Sequence, residues 1–207
     1  MRPVTIALTY PAADADSIVT SVTPTGGGAL TLTNAAGVSF TNPTLITVTS
    51  IGDETGRTFT ITGKDETGFH DLTVTLAGAN AGAATTTRAF TRVTAVSVDA
   101  ATADAITVGS AQAGHSAWIP LDIYRRDPAT AISVAVSGTV NYDVEYANED
   151  PFDPNVTKIP VAHPIAALTG GTANQIGQAS IVMRAVRLAV NSGSGTATMT
   201  LVQQSVV

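Results

Sequence analysis

Threonine alternates with apolar residues along much of this chain. Two runs show the pattern best: Arg57–Gly63, with the sequence RTFTITG, and Asp71–Ala77, with the sequence DLTVTLA. Apolar residues at every second position predict strands with one buried side and one side facing solvent. Threonine is polar and β-branched, so it suits the solvent-facing side. The pattern therefore favours an all-β fold.

Turn signals and a change of composition divide these strands into two groups. Glycine, asparagine and aspartate separate the runs at short intervals, which is typical of sandwiches and small barrels. Near residues 110–116 threonine becomes rarer, and most prolines lie beyond this point. We predict an all-β chain of two small antiparallel β-sandwich or barrel-like domains, with almost no helix. Residues 1–112 form a threonine-rich domain and residues 113–207 form the second domain.

The second predicted domain contains a long proline-rich segment at residues 148–178. It shows little strand pattern and holds Pro151, Pro154, Pro160 and Pro164. Long connections in compact domains often bind partners, and prolines reduce the entropy that such a segment loses on ordering. We therefore predict a binding loop here.

The apolar sides of the predicted strands give a predicted core for each domain. The first core comprises Phe59, Ile61, Leu72, Val74 and Leu76, and the second comprises Val134, Val136, Tyr142, Val144, Val186 and Leu188.

The composition excludes several classes of function. The net charge is −6 and the ten basic residues are scattered, whereas nucleic-acid binding needs clustered Lys and Arg. We interpret the two basic groupings, Arg125-Arg126 and Arg184 with Arg187, as solvated pairs or interface contacts. The chain has no cysteine, which excludes disulfides and thiolate chemistry. No apolar stretch approaches the roughly 18 residues needed to cross a bilayer, so we expect no membrane partner.

Motifs for catalysis are missing as well. His70, His115 and His163 do not have the spacing of a zinc site, and no serine lies in a Gly-x-Ser-x-Gly motif. The first eight residues lack the continuous apolar core of a secretory signal. We expect a protein that is not an enzyme, that binds no cofactor and that is made in a cytoplasm.

Two acidic groups are candidates for cation binding. Glu149, Asp150 and Asp153 could supply oxygen ligands for Ca²⁺, although Asp-Pro pairs are also ordinary turn residues. The tetrapeptide DETG occurs at Asp53–Gly56 and again at Asp65–Gly68. These carboxylates either meet around a cation or form two solvated acidic turns. We favour turns in both cases and predict no metal site.

Five residues are candidates for binding a partner. Val4, Ile6 and Leu8 share one side of a first strand, whose edge can pair with the sheet of another chain. Trp118 is the only tryptophan and is either a core anchor or a partner hot spot. Phe152 lies in the proline-rich segment. We expect deletion of residues 1–9 to weaken partner binding and to leave the second domain folded.

Seven segments, distributed over most of the length of the chain, resemble virion structural proteins of tailed bacteriophages. They are Ile46–Gly63, Gly78–Gly82, Phe90–Val98, Ile106–Gly109, Ser116–Asp122, Gly138–Pro154 and Met183–Val190. Within that group the chain most resembles head decoration, or cement, proteins, which are small, rich in β-structure and free of cysteine.

The resemblance implies a function and a location. We expect a homotrimer that binds the major capsid protein on the outside of a phage shell and stabilises that shell. We expect to find it in the virion, after assembly in the host cytoplasm. The resemblance supplies no active-site residues. A tail, neck or fibre component is the first alternative, and a bacterial surface adhesin with Ig-like modules is the second. A carbohydrate-active enzyme is the alternative that the sequence favours least.

Overall fold

The computed structural model describes residues 3–123, 130–152, 160–179 and 181–203. Its strands, in chain order, are β1 Val4–Thr9, β2 Asp14–Val22, β3 Gly28–Ala29, β4 Val38–Asp53, β5 Thr58–Lys64, β6 Asp71–Ala77, β7 Asn80–Thr85, β8 Phe90–Val98, β9 Ile106–His115, β10 Ile119–Pro120, β11 Thr130–Ser137, β12 Asn141–Ala147, β13 His163–Pro164, β14 Gln175–Ala179, β15 Ala185–Ser192 and β16 Thr196–Gln203. The only helical element in these residues is the 3₁₀ turn Ala166–Leu168. The predicted all-β, antiparallel class is therefore confirmed, and the sandwich or barrel arrangement remains a prediction.

The chain divides into two compact units. Residues 11–114 form one unit, here called the inserted unit, and residues 1–10 join residues 115–207 in the other, here called the terminal unit. The predicted boundary at residues 112 and 113 lies two residues from the observed one. The prediction differs from the structure for residues 1–10, which it assigned to the first domain. Strand pairing is the reason, because β1 pairs with β16 over all six of its residues.

The terminal unit contains a four-stranded antiparallel sheet in the order β1-β16-β11-β14. It also contains the ladder β13-β12-β15, with β10 paired to β15. Both groups of strands contribute side chains to one core: Leu8, Ile132, Met199 and Leu201 come from the first group, and Tyr142, Val144, Val186 and Leu188 from the second. The predicted second core is confirmed, with Val134 buried and Val136 partly buried against it.

The proline-rich segment is largely part of this fold. Residues 153–159 lie outside the described residues, but Ile165 and Leu168 are buried in the core. Gly171 exchanges two backbone hydrogen bonds of 2.9 Å with Tyr142. A Cβ at Gly171 would lie 2.4 Å from the Tyr142 ring, so only glycine fits this contact. The prediction of a loop without strand structure is wrong for Gln175–Ala179, which forms β14 and pairs with β11.

The inserted unit is built on the strand order β9-β4-β8-β5-β6, with β2 on β9, β3 on β8 and β7 on β4. Its core contains Phe59 and Ile61, both fully buried, while Leu72, Val74 and Leu76 are partly buried against that core. All five predicted core residues therefore lie on the inward side. Strand β7 was not predicted from the sequence, because Gly78–Asn80 was interpreted as a turn signal, whereas Asn80–Thr85 pairs with β4.

Replacing Phe59 with alanine tests the assignment of the two sides of β5. Phe59 is completely buried, and truncation of such a side chain typically costs about 3–5 kcal/mol. Its neighbour Thr60 points to the opposite side and is only partly buried. We expect Phe59→Ala to lower the free energy of unfolding, measured by urea denaturation, by about 3–5 kcal/mol. Thr60→Ala is the matched control and should change it by less than about 1 kcal/mol; equal effects would contradict the assignment.

Candidate interaction surface

The apolar residues of β1 lie in the protein's own core. Leu8 is 2% exposed, and Val4 and Ile6 pack partly buried against the same cluster. Side chains alternate along a strand, so Thr5 and Thr9 occupy its exposed side. The three residues that were predicted to bind a partner therefore pack on the protein's own core, with Leu8 buried and Val4 and Ile6 partly buried.

Trp118 is a core anchor in the structure. It is 8% exposed and packs with Ala147 and Ala185. The guanidinium carbon of Arg187 lies 4.5 Å from the centre of the Trp118 ring, within the range of a cation–π interaction. Arg187 Nε also donates to Glu145 Oε2 at 2.6 Å. The interpretation of Arg187 as a solvated or interface residue is wrong, because it is buried and holds an internal ion pair.

Phe152 is the one predicted partner residue that the fold leaves substantially exposed. Its residue exposure is 45%, and it borders a shallow cleft of about 380 Å³. Arg184 and Asp150 form an ion pair in the wall of that cleft. The hydrogen bond from Arg184, together with the Phe152 amide, lowers the pKa of Asp150. The ionised carboxylate is therefore already neutralised by the protein.

The three acidic residues considered as Ca²⁺ ligands do not meet in the described structure. Glu149 is exposed, Asp150 pairs with Arg184, and Asp153 lies outside the described residues. Within residues 3–123, 130–152, 160–179 and 181–203, no group of three His, Asp or Glu side chains is arranged to hold a metal ion.

The two DETG turns share one hydrogen-bond geometry. Asp53 Oδ1 accepts from the Thr55 amide at 3.0 Å and from its hydroxyl at 2.7 Å. Asp65 Oδ1 accepts from the Thr67 amide at 3.1 Å and from its hydroxyl at 2.6 Å. The Thr55 hydroxyl and then its amide lower the pKa of Asp53. The repeated tetrapeptide thus encodes a repeated Asx turn.

The glutamates of these turns are buried, so the prediction of two solvated acidic turns is wrong. Glu54 is 1% exposed and accepts from the amides of Ala103 and Asp104 at 3.2 and 3.0 Å. Glu66 is buried and accepts two hydrogen bonds from Arg88, at 3.1 and 2.9 Å. Both carboxylates have protein donors, as buried charges require, and both stabilise loops of the inserted unit.

The strongest candidate surface is the outward side of the sheet β1-β16-β11-β14. None of the residues in these four strands carries a charge. The outward positions, which we call the uncharged face, are Thr5, Ala7, Thr9, Thr196, Thr198, Thr200, Val202, Ala131, Ser133, Ala135, Ser137, Ile176 and Gln178.

Because most of its side chains are small, the uncharged face is nearly flat apart from a few positions. Hydroxyl pairs join β1 to β16, with the Thr5 and Thr200 oxygens 3.3 Å apart and those of Thr9 and Thr196 2.7 Å apart. Ile176 differs from its neighbours because its exposed fraction is 84%. This surface combines small side chains, hydroxyl groups that can form hydrogen bonds, and one protruding apolar residue, and it carries no charge. Such chemistry suits contact with another protein surface.

A depression lies beside Ile176 on the uncharged face. Its volume is about 320 Å³, and it runs over Ser133 and Ala135 between Ile176 and the pair Thr198 and Thr200. This face was not predicted from the sequence, because the residues of β14 were assigned to a loop. The absence of charge from all four segments was the available signal.

The inserted unit also has a threonine-rich outward side, but it carries charge. Thr60 and Thr62 of β5 lie opposite Thr75 and Thr73 of β6. At the end of the same strand pair, Lys64 forms a 2.8 Å salt bridge with Asp71. Threonine alone therefore does not distinguish the uncharged face, whereas the lack of charge does.

Neither a known protein family, nor a curated protein, nor a solved structure matches this chain. Within the described part of the chain, no helix has the length and apolar character required to cross a membrane.

The buried Glu66–Arg88 pair yields a stability prediction. Glu66→Gln removes the charge and leaves the guanidinium of Arg88, whose side chain is 16% exposed, without its carboxylate. Breaking a buried pair in this way typically costs about 3–5 kcal/mol, and we expect urea denaturation to show a loss of that order. The control is Asp71→Asn at the exposed salt bridge to Lys64, which should have a far smaller effect. A loss for Glu66→Gln as small as that expected for the control would contradict a structural role for the Glu66–Arg88 pair.

Proposed function

We propose that this chain is a non-enzymatic structural protein of a tailed-phage virion. It binds the major capsid protein on the outer surface of the head as a decoration protein and stabilises the shell. A homotrimer is the state that the resemblance implies. Nucleic acid and membrane are not among the proposed partners.

The observation that carries the proposal is the contrast between the interior carboxylates and the uncharged face. Glu54, Glu66 and Glu145 each accept hydrogen bonds from the protein's own donors, so their chemistry serves the framework. A broad sheet face, in turn, presents small uncharged side chains to its surroundings. This combination favours a protein whose function is contact, and the sequence segments that resemble phage virion proteins indicate the kind of assembly.

The negative net charge supports a location on the outer side of the shell. The net charge of −6 would repel the phosphates of packaged DNA on the inner side, whereas on the outer side it favours solubility of the particle. A protein that binds only the assembled shell also stabilises it by mass action. At a free concentration of 100 times Kd, each occupied site contributes about 2.7 kcal/mol.

Immunogold electron microscopy of the virions that carry this gene tests the proposed location. We expect gold particles over the whole head surface, with a preimmune serum as the control. Label confined to the tail, neck or fibres would replace the proposal with the first alternative, and unlabelled virions would overturn both.

Shell stability provides a second, independent test. Shells from a phage with this gene deleted should break at a lower temperature than wild-type shells, as measured by DNA release on heating. Purified protein added back should restore the wild-type temperature, because binding to the intact lattice stabilises that lattice. Equal release temperatures with and without the protein would contradict a stabilising role.

A further inference from the structure

We infer that the uncharged face binds a second copy of this chain across a two-fold axis, with each Ile176 inserted into the depression of the other copy. This inference goes beyond the proposed function and does not depend on it, since self-association needs no shell. The contact links two monomers, or two trimers where the trimer also forms.

Charge is the first reason to choose a second copy as the occupant. Two copies each carry a net charge of −6 and repel one another in most orientations. The four strands of the uncharged face hold no ionised side chain. Two copies that meet through this face keep their charges away from the contact, and they bury no unpaired charge in it.

Shape is the second reason. Ile176 protrudes from the edge strand β14 with an exposed fraction of 84%. The depression over Ser133 and Ala135 lies directly beside it. A two-fold contact applies the same patch to itself, so a protrusion and a neighbouring depression complement each other when the axis passes between them. The two Ile176 side chains then lie close together near that axis.

The area of the face determines the expected strength of this contact. Four strands spaced about 4.8 Å apart, at about 3.3 Å per residue, cover roughly 450 Å² in each copy. The total of about 900 Å² lies between typical crystal contacts, below about 800 Å², and standard interfaces of about 1,200 Å² or more. We therefore expect a weak association that depends on protein concentration.

Removal of exposed apolar surface gives this weak contact its driving force. Ile176 is among the most exposed large apolar residues of the described chain, and its burial against Ala135 and Thr198 removes that surface from water. The serine and threonine hydroxyls remain able to bond to one another across the contact or through bridging water.

Sedimentation equilibrium from about 1 µM to about 1 mM tests the inference, since weak contacts dissociate over this range. Wild-type protein should double in mass between the dilute and the concentrated ends. Ile176→Asp should weaken the doubling at least about ten-fold, the effect of a loss of about 1.4 kcal/mol. Ile51→Asp is the matched control, because Ile51 is 81% exposed in the inserted unit, and it should behave as wild type.

Two further variants exclude misfolding and test the axis. Ile176→Thr keeps a β-branched strand residue but shortens the protrusion, so it should weaken doubling while the circular dichroism spectrum stays unchanged. Ile176→Asp and Ile176→Lys should each fail to double alone, whereas their mixture should associate, because opposite charges then meet near the axis.

Three results would overturn the inference. The first is a wild-type mass that does not double at any concentration in this range. The second is a doubling of mass that persists in Ile176→Asp, and the third is a mixture of the Asp and Lys variants whose mass does not double. Because no shell is present, these outcomes leave the proposed virion location to its own test.

Discussion

Antiparallel pairing between β1 and β16 holds the terminal unit together. The six residues of β1 pair with residues 196–201, so strands almost two hundred positions apart become neighbours. Leu8, on the inward side of β1, lies in the core beside Leu201 of β16 and Ile132 of β11. The inserted unit has its own core, built wholly from residues 11–114.

The strands of the inserted unit are synthesised before β16, so this unit can fold first. The terminal unit can complete its fold only after its last strand has been synthesised.

The same pairing also creates the candidate surface. An apolar inward side on β1 and β16 requires an outward side at the alternate positions, and these positions hold Thr5, Thr9, Thr198 and Thr200. Buried charged groups likewise need partners within the protein. Arg187 forms an ion pair with Glu145 and a cation–π contact with the ring of Trp118. Glu54 accepts hydrogen bonds from two backbone amides. Ionised groups with such partners stabilise the structure, whereas the uncharged face presents small side chains without charge.

The alternation of apolar and polar residues predicted most strands, but it did not predict which strands pair with each other. Alternation along Thr58–Lys64 and Asp71–Ala77 indicated both the strands and their inward sides, since a two-residue period depends only on neighbours in sequence. It could not show that β1 pairs with β16 rather than with the adjacent unit. Burial of Glu54 and Glu66 was missed because their donors, Ala103, Asp104 and Arg88, are distant in sequence. Trp118 was weighed correctly as an anchor, although its cation–π partner came from a strand nearly seventy residues later.

Deletion of residues 1–9 tests the central role of the β1–β16 pairing most directly. The sequence pattern predicted that the second domain remains folded after this deletion. The structure predicts the opposite, because the deletion removes Leu8 from the core and leaves β16 without a neighbour on that side. Trp118 is the only tryptophan and lies buried in the terminal unit, so its fluorescence reports on that unit. We expect the truncated protein to show the fluorescence emission of unfolded protein at temperatures where the full chain is folded. A wild-type melting curve for the truncated protein would contradict it.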